Sequence, residues 1–104
     1  MDKYKIQLSI KAKKDIKNIV RYIKYELLEP SIAEKYANLT EKEIKSLEQC
    51  PQKFAIIDRE IIGSDNVRKL IIKNYIAFYR INENNRIVNI ERVLYGSSNW
   101  KEKL

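Results

Sequence analysis

Histidine is absent from the 104 residues, and cysteine occurs once, at Cys50. Ser-His-Asp triads, Cys-His dyads and a closed Cys/His zinc site within one chain are thereby excluded. Glycine is confined to Gly63 and Gly96 and proline to Pro30 and Pro51. Two isolated glycines cannot build a G-x-G-x-x-G turn or a Walker loop, each of which needs several positions where backbone closes on phosphate, so neither a nucleotide cofactor nor a metal is expected. No run approaches the roughly 20 apolar residues that span a bilayer. The start, Met1-Asp2-Lys3-Tyr4, lacks the apolar stretch of a signal peptide, and with a lone cysteine the chain reads as cytoplasmic. Cys50 is expected to be packing material inside the fold.

What is plentiful is charge, and mostly of one sign. Lysine and arginine total 21 against 14 acids, a net +7, beside a 44% hydrophobic content. That apolar share is ordinary for a folded chain, and 104 residues suit one domain, residues 1–104, with one core. The excess of bases implies an acidic partner: nucleic acid, an acidic protein or an anionic surface.

Periodicity divides the chain into halves. Ile6 and Leu8 alternate in a short strand that meets Ser9, a helix-capping residue. Ala12, Ile16, Ile19, Val20, Ile23 and Leu27 then recur every three or four residues, with lysines between them, as in an amphipathic helix. Pro30 interrupts it, and Ser31-Ile32-Ala33-Glu34 has the form of a capping box opening a second helix. The stripe Ala33, Tyr36, Ala37, Thr40, Ile44 and Leu47 turns that helix inward until Pro51, so an antiparallel hairpin is expected. Beyond Pro51 the period falls to two. Residues 67–72, 75–81 and 86–95 read as strands joined at Lys73-Asn74 and at residues 82–85, while 53–66 fit either a short strand or a helical tail followed by a loop. The expected fold is α+β: an N-terminal strand and a two-helix hairpin packed on one face of a mainly antiparallel C-terminal sheet.

Strict alternation, with Ile71 opposite Ile76 and Tyr79 opposite Val88, sorts that sheet into two faces. Leu70, Ile72, Tyr75, Ala77, Tyr79, Val88, Ile90 and Leu94 form the face for the helices. Lys69, Ile71, Ile76, Phe78, Arg80, Asn89, Glu91, Val93 and Tyr95 form the other, an apolar centre with charged edges that a partner or the C-terminal tail should cover. Arg68, Arg80, Arg86 and Arg92 could grip phosphates or carboxylates, although arginines at strand ends mostly pair with acids such as Glu91. The lysines from Lys11 to Lys24 read as a solvated helix face and Trp100 as a tail anchor; Tyr95 is the tyrosine that a core role does not absorb.

Several segments, taken in order, resemble the RelE/ParE family of bacterial toxins: Leu8-Ser9 before Ala12 and Asp15-Ile16, residues 19–23, Val67-Arg68-Lys69-Leu70, residues 74–80, and Arg92-Val93-Leu94-Tyr95-Gly96. The resemblance implies the toxin of a type II toxin-antitoxin, plasmid-stabilising system, neutralised by an acidic antitoxin, with Ile71, Ile76 and Phe78 as antitoxin-binding candidates. It leaves two targets, DNA gyrase for the ParE-like branch and ribosome-bound mRNA for the RelE-like branch. The nuclease branch needs cations to stabilise the phosphorane. Here Ile71, Ile76 and Ser98 stand where that branch has bases, leaving Lys69, with Arg68, Arg80, Arg92 and Tyr95, as an alternative catalytic set. The residues therefore lean towards a ParE-like gyrase inhibitor with no catalytic residues, contacting its target through Arg92, Tyr95, Ser97, Trp100 and Lys101, although Tyr95 replaces the histidine common before that glycine. DNA would be contacted only through the antitoxin, and a decayed toxin acting as a binding module is the third reading.

Overall fold

The structure, a computed structural model, describes residues 3–104, so Met1 and Asp2 of the leader reading lie outside the described residues. Strand β1 (Lys5–Leu8) leads to helix α1 (Ile10–Arg21), which runs on into a π-helical turn, Tyr22–Glu26. Helix α2 (Pro30–Lys45) returns antiparallel, and after two short 3-10 turns the chain forms helix α3 (Arg59–Ile62) and strands β2 (Arg68–Ile72), β3 (Tyr75–Asn82) and β4 (Ile87–Tyr95). A last turn, α4 (Trp100–Lys103), closes the chain. The sheet order is β1-β4-β3-β2, with β1 parallel to β4 and the other pairs antiparallel, which is the expected α+β architecture with one parallel edge.

Local chemistry explains the boundaries. Ser9 caps α1, its Oγ accepting the Ala12 N–H at 2.9 Å, as its position predicts. The expected capping box at Ser31 does not form. Pro30 occupies the first helical position, because its fixed φ suits a helix start and its missing N–H would be unpaired there anyway. The helix thus begins one residue early: the Ala33 N–H already donates to the Glu29 carbonyl, and Ser31 lies inside the first turn. Cys50 is also not packing material; it is exposed, held at φ 126° before Pro51. Pro51 is the buried one, its carbonyl accepting the Tyr79 hydroxyl at 2.7 Å.

The ambiguous stretch proves to be both alternatives. Ile56 bridges to Arg68, and Asp58 then caps the single turn α3, which ends at Gly63 in the left-handed region at φ 70°.

Strict alternation fails in β4. Arg92 pairs with Phe78 and Ile90 with Tyr79, leaving Glu91 as a bulge. Tyr79 is therefore opposite Ile90, not Val88, and beyond the bulge the faces exchange: Val93 joins the helix-side core and Leu94 the other face, the reverse of the expectation. The bulge sits where β1 has ended, so β4 needs other partners. Ser9 Oγ donates to the Glu91 carbonyl at 2.7 Å, and Asp15 accepts the Val93 N–H at 3.0 Å.

The far face of the sheet is covered by the C-terminal tail, one of the two covers expected, together with the 57–67 segment. Ile76, Phe78 and Leu94 form a second core cluster with Ile57 and Val67, and Ile62, Trp100 and Leu104 pack against it. The chain covers this face itself, from both the 57–67 segment and the tail. Of the three antitoxin-binding candidates, Phe78 and Ile76 are buried and Ile71, at 62%, is exposed.

Candidate functional site

The arginines expected to meet a ligand are engaged with the fold. Arg92 makes a bidentate pair with Asp15, Nε to Oδ2 at 2.8 Å and Nη2 to Oδ1 at 3.0 Å. Hydrogen bonding to Asp15, ahead of the opposing effect of burial, raises the Arg92 pKa. Arg80 Nε donates to Glu91 at 3.0 Å, and Arg68 Nη1 donates to the Gln52 and Phe54 carbonyls at 2.9 and 2.6 Å. Each guanidinium closes a corner of the fold.

The sheet gathers only part of the alternative catalytic set: Arg80 and Arg92 line one open cavity of about 360 Å³, and Lys69 and Arg92 both pair with Phe78, whereas Arg68 and Tyr95 lie elsewhere. Arg68 and Lys69 are neighbours in β2 and point to opposite faces. Arg68 pairs with Tyr79 and Tyr95 with Tyr75, so about 13 Å of strand separates the Arg68 and Tyr95 levels, at about 3.3 Å per residue. Trp100 stacks on Phe78 with centroids 5.1 Å apart, and Lys101 Nζ lies 6.0 Å from the Trp100 ring. Ser97 is exposed beside Gly96, whose N–H is held by the Asn74 carbonyl at 2.8 Å.

Tyr95 lies in a different setting. A row of rings runs outward from the core: Tyr36 to Tyr75 at 5.0 Å, then Tyr75 to Tyr95 at 5.4 Å. Asn18 and Ile19 of α1, Tyr22 of the π-turn and Leu27 just after it, Asn74 of the β2–β3 turn, Tyr75 and Tyr95 enclose an open cavity of about 510 Å³. Burial, then the nearby Tyr95 and Tyr22 phenols, raises the Tyr75 pKa. Tyr22, Leu27 and Tyr95 are each about half exposed. The turn between the helices makes this possible. Its wider π-helical winding sets Leu27 N–H on the Tyr22 carbonyl, and the left-handed Leu28 reverses the chain.

Tyr22, Asn18 and Leu27 were not among the expected site residues, and Tyr75 was expected in the core. The available signal was tyrosine density, because Tyr22, Tyr75 and Tyr95 fall at the ends of elements that meet. Neither the metal nor the cofactor question gains a donor set: among the described residues no three His, Cys, Asp or Glu side chains gather as ligands.

A strand, a helix hairpin and a four-stranded mixed sheet form the frame that carries the tyrosine-lined cavity at the hairpin end. Residues 6–100 match the family model described as the ParE toxin of the type II toxin-antitoxin system parDE, and the chain belongs to that family. A chain of the chromosomal ParDE toxin-antitoxin system of P. aeruginosa is similar at 21% identity and TM-score 0.72, over 88% of this chain and 95% of that one. The RelBE2 toxin-antitoxin complex of Mycobacterium tuberculosis has a chain similar at 21% identity and TM-score 0.65, over 94% and 97%. The archaeal RelE-RelB complex of Pyrococcus horikoshii has one at 14% identity and TM-score 0.60, over 91% and 97%. At these identities the likeness is one of fold. No curated protein sequence matches.

Proposed function

We propose that this single-domain toxin acts by binding and inhibiting DNA gyrase through the tyrosine-lined face around Tyr22, Tyr75 and Tyr95, and that a cognate acidic antitoxin neutralises it. One observation carries the reading: Arg92, Arg80 and Arg68 each already pair with Asp15, Glu91 or backbone carbonyls, whereas the cavity at Tyr22, Tyr75 and Tyr95 presents half-exposed aromatic rings with no such internal partner acids. Lys69 by itself cannot supply base, acid and charge stabilisation. A half-exposed aromatic surface with an apolar floor is instead suited to anchoring on a protein, where tyrosine contributes large contact area and a hydrogen bond at little entropic cost.

The test is a supercoiling assay with purified gyrase. The intact toxin is expected to block supercoiling, Tyr22→Ala and Tyr95→Ala to weaken the block by about tenfold or more, and Lys69→Ala to leave it unchanged. Full supercoiling at excess toxin, with transcripts on translating ribosomes cut by the wild type and spared by Lys69→Ala, would replace this reading with the nuclease one.

A further inference from the structure

The net charge of this chain is not spread evenly over its helices. From Lys11 to Arg21 the exposed residues of α1 are Lys11, Lys13, Lys14, Lys17, Asn18 and Arg21, five cations and an amide. Asp15 is the one acid of that helix, and it is spent on the Arg92 guanidinium and the Val93 N–H. Among the described residues none of the five cations forms an ion pair. Spacings of three and four residues align Lys13, Lys14, Lys17 and Arg21 along one side of the helix, a row about 12 Å long at about 1.5 Å per residue.

A helix face that is merely solvated mixes its signs, and α2 does so. Its exposed residues include Glu34 and Glu41 beside Lys35, Lys42 and Lys45. The α1 row instead sets like charges three and four residues apart and begins without an acid in its first turn, and both features oppose the helix. That cost is relieved by an external polyanion.

We propose that the outer face of α1 grips the phosphate backbone of duplex nucleic acid directly, and does so without reading its sequence. The face is therefore more than the solvated surface that its sequence suggests, and nucleic acid is reached by the toxin itself and not only through an antitoxin. The proposal does not depend on gyrase being the target. The residue types select the occupant. Between Lys11 and Arg21 no apolar side chain is exposed, because Ala12, Ile16, Ile19 and Val20 face the core. An interfacial helix needs an apolar face to sink into lipid, and a protein partner needs an apolar centre to its contact. A row of cations alone is what a duplex backbone, with one negative charge about every 1.7 Å of axis, can satisfy. Four of the five cations are lysines, flexible point charges suited to phosphate oxygens and not to bidentate reading of base edges.

The test uses the full-length toxin with a short fluorescent DNA duplex, a second DNA duplex of scrambled sequence, and an RNA duplex. Anisotropy is read between about 50 and about 200 mM salt. Affinity is expected to fall steeply with salt and to be equal for the two DNA sequences, and the tighter of the DNA and RNA duplexes identifies the polymer. Lys13→Gln, Lys17→Gln and Arg21→Gln should each reduce the slope of log affinity against log salt by about one. Lys53→Gln, an equal loss of charge in the turn Pro51–Lys53, should leave that slope unchanged. Circular dichroism of the α1 variants should match the wild type, since glutamine suits a helix and removes repulsion. A loss in Lys53→Gln as large as in the α1 variants would reduce the binding to net charge and overturn the site. So would a failure to bind either polymer, and binding only to phosphatidylglycerol vesicles would assign the face to a membrane instead.

Discussion

Asp15 is the residue on which the corner between α1 and β4 depends. Its two oxygens satisfy the Arg92 guanidinium and the Val93 N–H released by the bulge, and both partners of the ion pair are mostly buried, at 13% and 21% side-chain exposure. Breaking a buried pair by removing one partner leaves an uncompensated charge. Asp15→Ala is expected to lower stability by about 3 kcal/mol, read from urea unfolding, and Asp15→Ala with Arg92→Ala to cost less than the two single losses added together. The tyrosines give a second contrast. Tyr79 donates to the Pro51 carbonyl, whereas Tyr36 has a buried hydroxyl without a hydrogen bond of good geometry. Tyr79→Phe should therefore cost about 1–2 kcal/mol and Tyr36→Phe close to nothing. Burial pushes both phenols from 10.0 up to about 12. Because the folded pKa lies above the unfolded one, the stability linked to the neutral phenols is whole below pH 10.0 and is lost as pH rises towards about 12. Alkaline unfolding followed by tyrosinate absorbance should begin in that window, and Tyr36→Phe should shift it upward.

At the scale of elements, the joint between α1 and α2 is made with an unfavourable residue. Leu28 adopts φ 53°, a conformation that disfavours a side chain with a Cβ and suits glycine or asparagine at a helix end, and at 77% exposure it contributes little packing. Leu28→Asn is expected to raise the unfolding free energy by about 0.5 kcal/mol in chemical denaturation. A loss of stability would mean that Leu28 packs in solution. The sequence showed both helices clearly, since their apolar stripes repeat every three or four residues and Pro30 separates them. It gave the wrong start for α2, because a serine three residues before a glutamate looks the same whether it caps or lies in the first turn. The proline beside it decides which.

Across the whole molecule, two cores sandwich the sheet, a larger one under the helix hairpin and a smaller one under the 57–67 segment and the tail. Trp100 holds the smaller core closed by its stacking on Phe78. Trp100→Ala is expected to cost about 2 kcal/mol and to raise binding of an apolar dye, as Phe78 loses its cover. Unchanged dye binding would place the cover in the 57–67 segment alone.

The sequence by itself determined the order of the elements and the charge of the surface, because helix and strand periods and the sum of ionised groups are properties of neighbours along the chain. The two-residue turn at Lys73-Asn74 likewise set Ile71 opposite Ile76, as observed. Only the tertiary structure decided which side of the sheet Val93 and Leu94 take, since one extra residue in β4 inverts every later position. It alone decided that Arg92 is bound to Asp15, 77 positions earlier in the chain, and that Tyr22, Tyr75 and Tyr95 share one cavity. A contact between distant residues depends on how the whole chain closes, and no local pattern records it.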